Sequence, residues 1–328
     1  LSKLKKLVIV LAVLVVAFPA AAFGYVYMKL NSIHDSSVDK NILGKNNYRA
    51  ENGITNVLLI GTDGRPGETS SRSDAMMILT IDGKNKSLKL TSLARDTYVD
   101  IPGHGKQKLT HAYVYGQESL LIETIEKNFE LDIQNYATVD FYSFMDIVDT
   151  LGGVSVDVQQ NEIAEMNKFI KWDTYKWNTN PNKGPMKLIE NPGVQTLNGY
   201  QLLSYSRIRK NDSAFERDRR QRNVIQGLIN GVKDLPVTKY PSLIDTILPY
   251  LKTNMKPTEI IALGGKVLSI GNNELKQMEF PIDDDVHSTG HIINHQTGWV
   301  LEFVPDSLDI LHDFIFLNIM PEDNPKLK

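Results

Sequence analysis

Between Tyr205 and Arg222 the chain reads YSRIRKNDSAFERDRRQR, seven basic residues against three acids. Such runs are usually one solvated helix face, and helical spacing separates the members that depart from it. Arg217 and Gln221 lie four apart, and their face continues through Val224, Ile225, Leu228 and Val232, an apolar stripe that must pack on a core. Both side chains therefore point inward, whereas Arg219 and Arg222 fall on other faces and read as surface charges. An inward guanidinium requires an anionic partner, and its planar fork of donors matches phosphate oxygens. A second set is acidic. Asp63 sits in a Gly-Thr-Asp-Gly turn after a strand-like run, and Asp74 opens the next strand after Arg72-Ser73. Both then stand at one end of neighbouring strands, where ligands of α/β sheets gather. Two carboxylates completed by phosphate oxygens are a common Mg²⁺ environment. Arg95 and Asp96, in SLARDT after a third strand, bring another cation and acid to that end.

Other chemistries are excluded or weakened. The chain has no Cys, which removes thiol catalysis, Cys-ligated zinc and disulfide scaffolds. No stretch has the spacing G-x-x-x-x-G-K-[ST], so a P-loop has no support. Lys plus Arg number 36 against 39 Asp plus Glu, a net charge of −3, so the chain lacks the basic excess of a nucleic-acid binder. An anion site must be a local cluster. His287, His291 and His295 recur every four residues, but Gly290 and the His295-Gln296-Thr297-Gly298 turn read as a hairpin rather than a metal-binding helix. Trp172, Tyr175 and Trp177 read as local packing in a polar excursion.

The elements that must position these groups come in a mixed order. Strands are expected at 54–60, 75–81 and 87–93, helices at 117–129 and 141–151, and short strands at 136–140 and 154–158. Residues 161–195 read as an irregular excursion. Helices are expected next at 198–206, 215–234, 240–252 and 257–269, then strands near 274–280 and 290–303 and a last helix at 305–318. The fold class is α/β (mixed α+β): a central mixed β-sheet flanked by helices, behind an N-terminal transmembrane helix. That helix is residues 7–28, a run of 22 residues without a charge. Lys3, Lys5 and Lys6 precede it and only Lys29 follows closely, which places residues 1–6 in the cytoplasm and exports everything after residue 30. Pro19 and Ala20 to Ala22 also allow a cleaved signal peptide, and the apolar run beyond them favours an uncleaved anchor. Residues 29–52 read as a polar linker, and 53–328 as one extracytoplasmic catalytic domain of 276 residues.

NVLLIGTDGR, RSDAMMILTI, LTSLARDTYVDIPG, KLTHAYVYG, VDTLGGVSVDV and LNGYQLLSYSRIRKNDSAFERDRRQRNVIQG occur in that order from about residue 55 to 232. Together they resemble the LytR-CpsA-Psr family of bacterial envelope proteins. The resemblance implies a transferase that moves an anionic or capsular glycopolymer, such as a teichoic acid, from an undecaprenyl-pyrophosphate carrier to peptidoglycan. The bond formed would be a phosphodiester to the muramic acid 6-hydroxyl, made at the membrane of a Gram-positive type of cell. It implies Mg²⁺ on Asp63 and Asp74, pyrophosphate on Arg95, Lys108, Arg207, Arg209, Arg217 and Gln221, and an apolar cavity for the polyprenyl tail. The partners implied are the polyprenyl-pyrophosphate-linked donor, peptidoglycan and the lipid bilayer, with no nucleic acid.

The chain departs from the family pattern in two places. Ala94 stands where a proline commonly precedes the arginine, and the segment after Arg209 lacks an Asp-Pro-Arg-Gly-Asp form, keeping Asp212. Arg95 and Arg217 are the expected catalytic cations, and Asp96 or Asp212 the acceptor of the hydroxyl proton. Two other readings stand beside this one: a membrane-bound transcriptional regulator or attenuator, and a protein that binds or hydrolyses polyprenyl pyrophosphate without transfer.

Overall fold

The computed structural model describes residues 24–36, 38, 48–64, 72–209, 214–248, 251–271 and 275–327. Eleven strands are assigned there. They are β1 (Ile54–Thr62), β2 (Ser73–Asp82), β3 (Ser87–Leu93), β4 (Tyr98–Ile101), β5 (Gly105–Lys108), β6 (Asn135–Asp140), β7 (Val154–Val158), β8 (Gly193–Leu197), β9 (Leu275–Phe280), β10 (Ser288–Ile292) and β11 (Trp299–Phe303). The main sheet has five strands in the order β6-β1-β2-β3-β9. Its centre is an antiparallel meander, with β6 added parallel to β1 and β9 parallel to β3. The sheet is mixed, as the element order predicts. The helices that matter are α1 (Leu109–Phe129), α2 (Phe141–Thr150), α3 (Ile163–Phe169), α4 (Gly199–Ser206), α5 (Ala214–Asp234), α6 (Tyr240–Ile247), α7 (Pro257–Ile270) and α8 (Asp306–His312).

Strand alternation sorts the apolar side chains onto two faces. Leu58, Ile60, Met76 and Ile78 join Leu121, Ile122 and Ile125 of α1 in one core. Val57, Leu59, Met77 and Leu79 face the other way, toward Ile225 and Ile229 of α5 and Leu263 of α7. At the end of β1 the register breaks: Gly61 pairs with Ala75 but Thr62 pairs with Ser73. Asp74 is the extra residue, and a bulge of this kind re-aims a side chain at the end of a ladder.

Three expectations need correction. The helix expected at 117–129 begins earlier, at Leu109, with a break at Gly116 and Gln117, where Gln117 has φ 53. A Cβ on Gly116 would lie 2.5 Å from Leu120 Cβ, which leaves glycine as the residue that fits the break. Second, 161–195 is not irregular throughout. Residues 163–169 are helical, continued by a wider turn at Ile170–Thr174, and Ile163, Met166 and Ile170 are buried in a second core with Tyr200 and Leu203. Third, the linker read over 29–52 is not slack where it is described. Residues 24–31 are helical, and Leu30 and Ile33 are buried against Leu248. Residues 1–23, most of the expected membrane helix, lie outside the described residues. Among the described residues no helix is long and apolar enough to cross a membrane.

Candidate active site

An apolar cavity of about 240 Å³ lies between the sheet and helices α2, α4 and α5, lined by Leu59, Met77, Ala137, Phe144, Val224 and Leu228 among others. The stripe expected on α5 forms one of its walls. Arg207, Arg209, Arg217, Gln221 and Asp74 line the same cavity. Asp74, Arg207 and Arg209, with Phe141, also belong to a second, polar cavity of about 370 Å³, completed by Asp63, Arg72, Arg95, Tyr142 and Trp177. An apolar passage thus opens onto a chamber walled by cations, the shape of a site for an amphiphile with an anionic head.

The bulged Asp74 is the hub of the polar chamber. Its Oδ1 accepts from Arg95 Nη1, and its Oδ2 accepts from Arg209 Nη2 at 3.3 Å. Asp63 and Arg72 bond reciprocally: Arg72 N–H donates to Asp63 Oδ1 at 2.6 Å and Asp63 N–H to the Arg72 carbonyl at 3.2 Å. Arg207 is caged by aromatic rings, 4.5 Å from the Trp177 centroid, 5.3 Å from Phe141 and 5.0 Å from Phe169. Such stacking holds a guanidinium in place by its faces and directs hydrogen bonds to its edges. Trp177 therefore does more than pack locally, because it walls the chamber and orients Arg207.

Arg217 is only 7% exposed. Its Nε lies 3.5 Å from Asp218 Oδ1, yet neither Nε nor Nη2 makes a hydrogen bond within the described structure. Nε of Arg95 is in the same condition. Buried donors left unmade are costly; Nε of Arg220 and of Arg222 shares the condition, but Arg217 and Arg95 line the cavities, where the oxygens of a ligand can reach them. Lys108 is one step removed: its Nζ reaches Asp96 Oδ1 at 3.0 Å, and Asp96 Oδ2 lies 3.5 Å from Arg95 Nε. Both oxygens of Asp96 are thereby engaged by cations. Asp212 lies outside the described residues.

The basic helix holds two more buried arginines. Arg222, read as a surface charge, is 9% exposed and donates from Nη1 to Glu279 Oε2 at 3.1 Å. Arg220 is 1% exposed and donates to Glu162 Oε1 at 3.2 Å and to the Ile208 carbonyl at 3.1 Å. Both brace α5 rather than face solvent, because buried acids far off in sequence meet them. Arg219 is exposed and pairs with Glu216, as its face predicts.

Asp218 and Glu279 form a buried acid pair beside Arg217 and Arg222. Burial raises the Asp218 carboxyl, and burial together with the Asp218 charge pushes Glu279 up to about 9. The Asp218–Glu279 pair thus keeps a proton to higher pH than two free carboxyls would. Linkage gives the sign: the contribution is fully present below the ordinary Glu value of 4.5 and is lost as pH rises through about 9. Thermal unfolding of the wild type is expected to fall in temperature between pH 6 and pH 9. Glu279→Gln, which mimics the neutral acid, should show a shallower fall, and equal slopes would refute the protonated pair.

Asp63 and Asp74 present hard oxygens to one chamber. Among the described residues no group of three or more His, Cys, Asp or Glu is placed to hold a metal unaided. A divalent ion here needs oxygens from a bound anion, which is how Mg²⁺ is commonly held, and it must share Asp74 with Arg95 and Arg209, which hold both carboxylate oxygens, so the donor set fits only on those conditions.

The fold and the paired cavities define a class, and the chain belongs to it: it matches the LytR_cpsA_psr family over residues 21–301. Among individual proteins, it is 34% identical over 291 residues to the polyisoprenyl-teichoic acid–peptidoglycan teichoic acid transferase TagT of Bacillus subtilis (strain 168), covering 84% of this chain and 86% of that protein. It is 35% identical over 203 residues to TagU of Bacillus licheniformis, covering 61% of this chain and 59% of that one. Its fold is similar to TagT bound to LIIa-WTA, with TM-score 0.63 and 28% identity over 80% of this chain and 90% of that chain. It is also similar to TagT with bound octaprenyl pyrophosphate lipid, with TM-score 0.61 and 25% identity over 83% and 96%.

Proposed function

We propose that the chain is a glycopolymer phosphotransferase of cell-wall assembly, taking a polyprenyl-pyrophosphate-linked anionic polymer such as a teichoic acid and attaching it to peptidoglycan. The observation that carries this reading is the apolar cavity continuous with the arginine chamber, which suits a prenyl chain with a pyrophosphate head. Support comes from TagT and TagU, named as transferases of teichoic acid to peptidoglycan. The acceptor is the muramic acid 6-hydroxyl, and the domain works outside the cytoplasm with its prenyl donor drawn from the bilayer.

In this reading Arg217, Arg207 and Arg209 hold the pyrophosphate at the neck between the cavities, and Arg95 neutralises charge on the phosphate under attack. Phosphoryl transfer depends mainly on positioning and charge stabilisation, which suits fixed guanidinium groups. Gln221 contributes an orienting hydrogen bond. Mg²⁺, held by Asp63 and Asp74 with phosphate oxygens, would supply further neutralisation of the leaving phosphate. The bond from phosphorus to the bridging oxygen breaks, polyprenyl phosphate leaves, and the acceptor oxygen takes its place.

The test incubates the full chain in detergent micelles with prenyl-pyrophosphate-linked polymer and peptidoglycan. Polymer bound covalently to glycan and polyprenyl phosphate released in equal amounts is the expected result. Release of free polymer at the same rate with or without glycan would instead make the chain a hydrolase.

A further inference from the structure

The acceptor hydroxyl must lose a proton, and Asp96 is held between Arg95 and Lys108. A different group, His111, lies near the chamber without lining it: Arg72 and Arg95, which do line it, are close enough to act on its ring. Thr110, at the start of α1, ties the chamber's walls together: its N–H donates to the Arg95 carbonyl at 3.1 Å and its Oγ1 to the Ser73 carbonyl at 2.9 Å. The next residue is His111, half-buried, with its Nδ1 3.0 Å from Gln107 Oε1.

Hydrogen-bond chemistry fixes the state of that ring. Gln107 Nε2 donates to the His104 carbonyl at 3.2 Å, so the amide nitrogen points there and the oxygen toward His111. That oxygen already accepts from Tyr115 Oη at 2.7 Å. An amide oxygen only accepts, so His111 Nδ1 must carry the hydrogen and Nε2 the lone pair. Gln107 does for this imidazole what a carboxylate does in a hydrolase triad, without adding charge.

We propose that His111 Nε2 is the general base that takes the proton of the acceptor hydroxyl. The acceptor oxygen then forms the new bond to phosphorus, the bond to the bridging oxygen breaks with its electron pair leaving on polyprenyl phosphate, and the proton passes from imidazolium to solvent. This rests on the transferase reading. Burial, then Arg72 and Lys108, then Arg95, lower the pKa of the ring, and Asp96 opposes them. The ring is therefore neutral and able to accept a proton at neutral pH. His104, stacked on Tyr115 at 4.3 Å, and Tyr115, edge-on to His111 at 6.1 Å, are further titratable groups nearby. An incoming pyrophosphate offsets the surrounding cations, so the ring becomes more basic when the donor is in place.

The test compares His111→Gln with wild type in the full chain, measuring polymer transfer against pH and binding of octaprenyl pyrophosphate. Transfer is expected to fall about 100-fold or more, with binding unchanged and the acidic limb of the wild-type pH profile gone. Gln107→Met keeps the ring and removes the oxygen that sets its tautomer. It should lose about tenfold and retain an acidic limb. Transfer by His111→Gln within about threefold of wild type, or with the acidic limb retained, overturns the role of His111 alone. A wild type that binds octaprenyl pyrophosphate and transfers nothing to glycan overturns the transferase reading, and this one with it.

Discussion

Arg217→Ala is expected to lower polymer transfer by about 10²–10³-fold while the chain remains folded. The size of the effect comes from position. Arg217 lines the apolar cavity beside Arg207 and Arg209, and its Nε and Nη2 have no hydrogen bond among the described residues. Donors held in this way gain their acceptors when phosphate arrives, and they act where water is scarce and each charge counts for more. Folding tolerates the change for the same reason. Truncation removes a desolvated cation with incomplete hydrogen bonding, and the neighbouring Asp218 already has its carboxyl raised by burial. Arg217→Lys should restore little, because a point charge does not reproduce two parallel donors. Transfer rates measured beside thermal unfolding check both halves. A folded Arg217→Ala chain within threefold of wild type would remove Arg217 from the phosphate site.

The second large effect is expected from Ala137→Phe. Ala137 sits on β6 across from Leu59, and both line the apolar cavity of about 240 Å³. A phenyl ring there takes the space of a prenyl segment. Each isoprene unit left in water forfeits on the order of 3 kcal/mol, so losing even one weakens donor binding more than 100-fold. The defect should depend on chain length: long polyprenyl donors lose affinity, while a donor with a very short chain is used as well as by wild type. Equal loss for both would mean that the substitution damaged the head-group site, and no loss would place the prenyl chain elsewhere.

Much of this site is local enough to read in the chain. The α5 stripe depends only on a period of 3.6, and Val224, Ile225 and Leu228 do line the cavity. The strands at 54–60, 75–81 and 87–93 are also local signals, and they fall within β1, β2 and β3. What escapes is what depends on distant partners. The bulge that frees Asp74 comes from the register of β2 against β1. Arg220 and Arg222 are buried because Glu162 and Glu279 lie 58 and 57 residues away in sequence and meet them. Signals for two other features were present. Ile163, Met166 and Ile170 have helical spacing inside the supposed excursion, and Gln107, His111 and Tyr115 are each four apart.

The docked stem gives the molecule a load path. Tyr25 Oη and Lys29 Nζ both hold Asp245, at 2.6 and 2.8 Å, just before the chain reaches the buried Leu30 and Ile33. Asp35 N–H donates to the Thr253 carbonyl, and the Asp35 carboxylate takes Lys252 at 3.0 Å and the Tyr136 hydroxyl at 2.7 Å. Thr138 and Lys252 in turn exchange backbone hydrogen bonds. Tension applied at residue 24 is therefore delivered to β6, the strand whose Ala137 and Val139 wall the apolar cavity. Residues 24–35 are thus a braced mast on the body instead of a leash, and a pull on them is felt at the cavity wall.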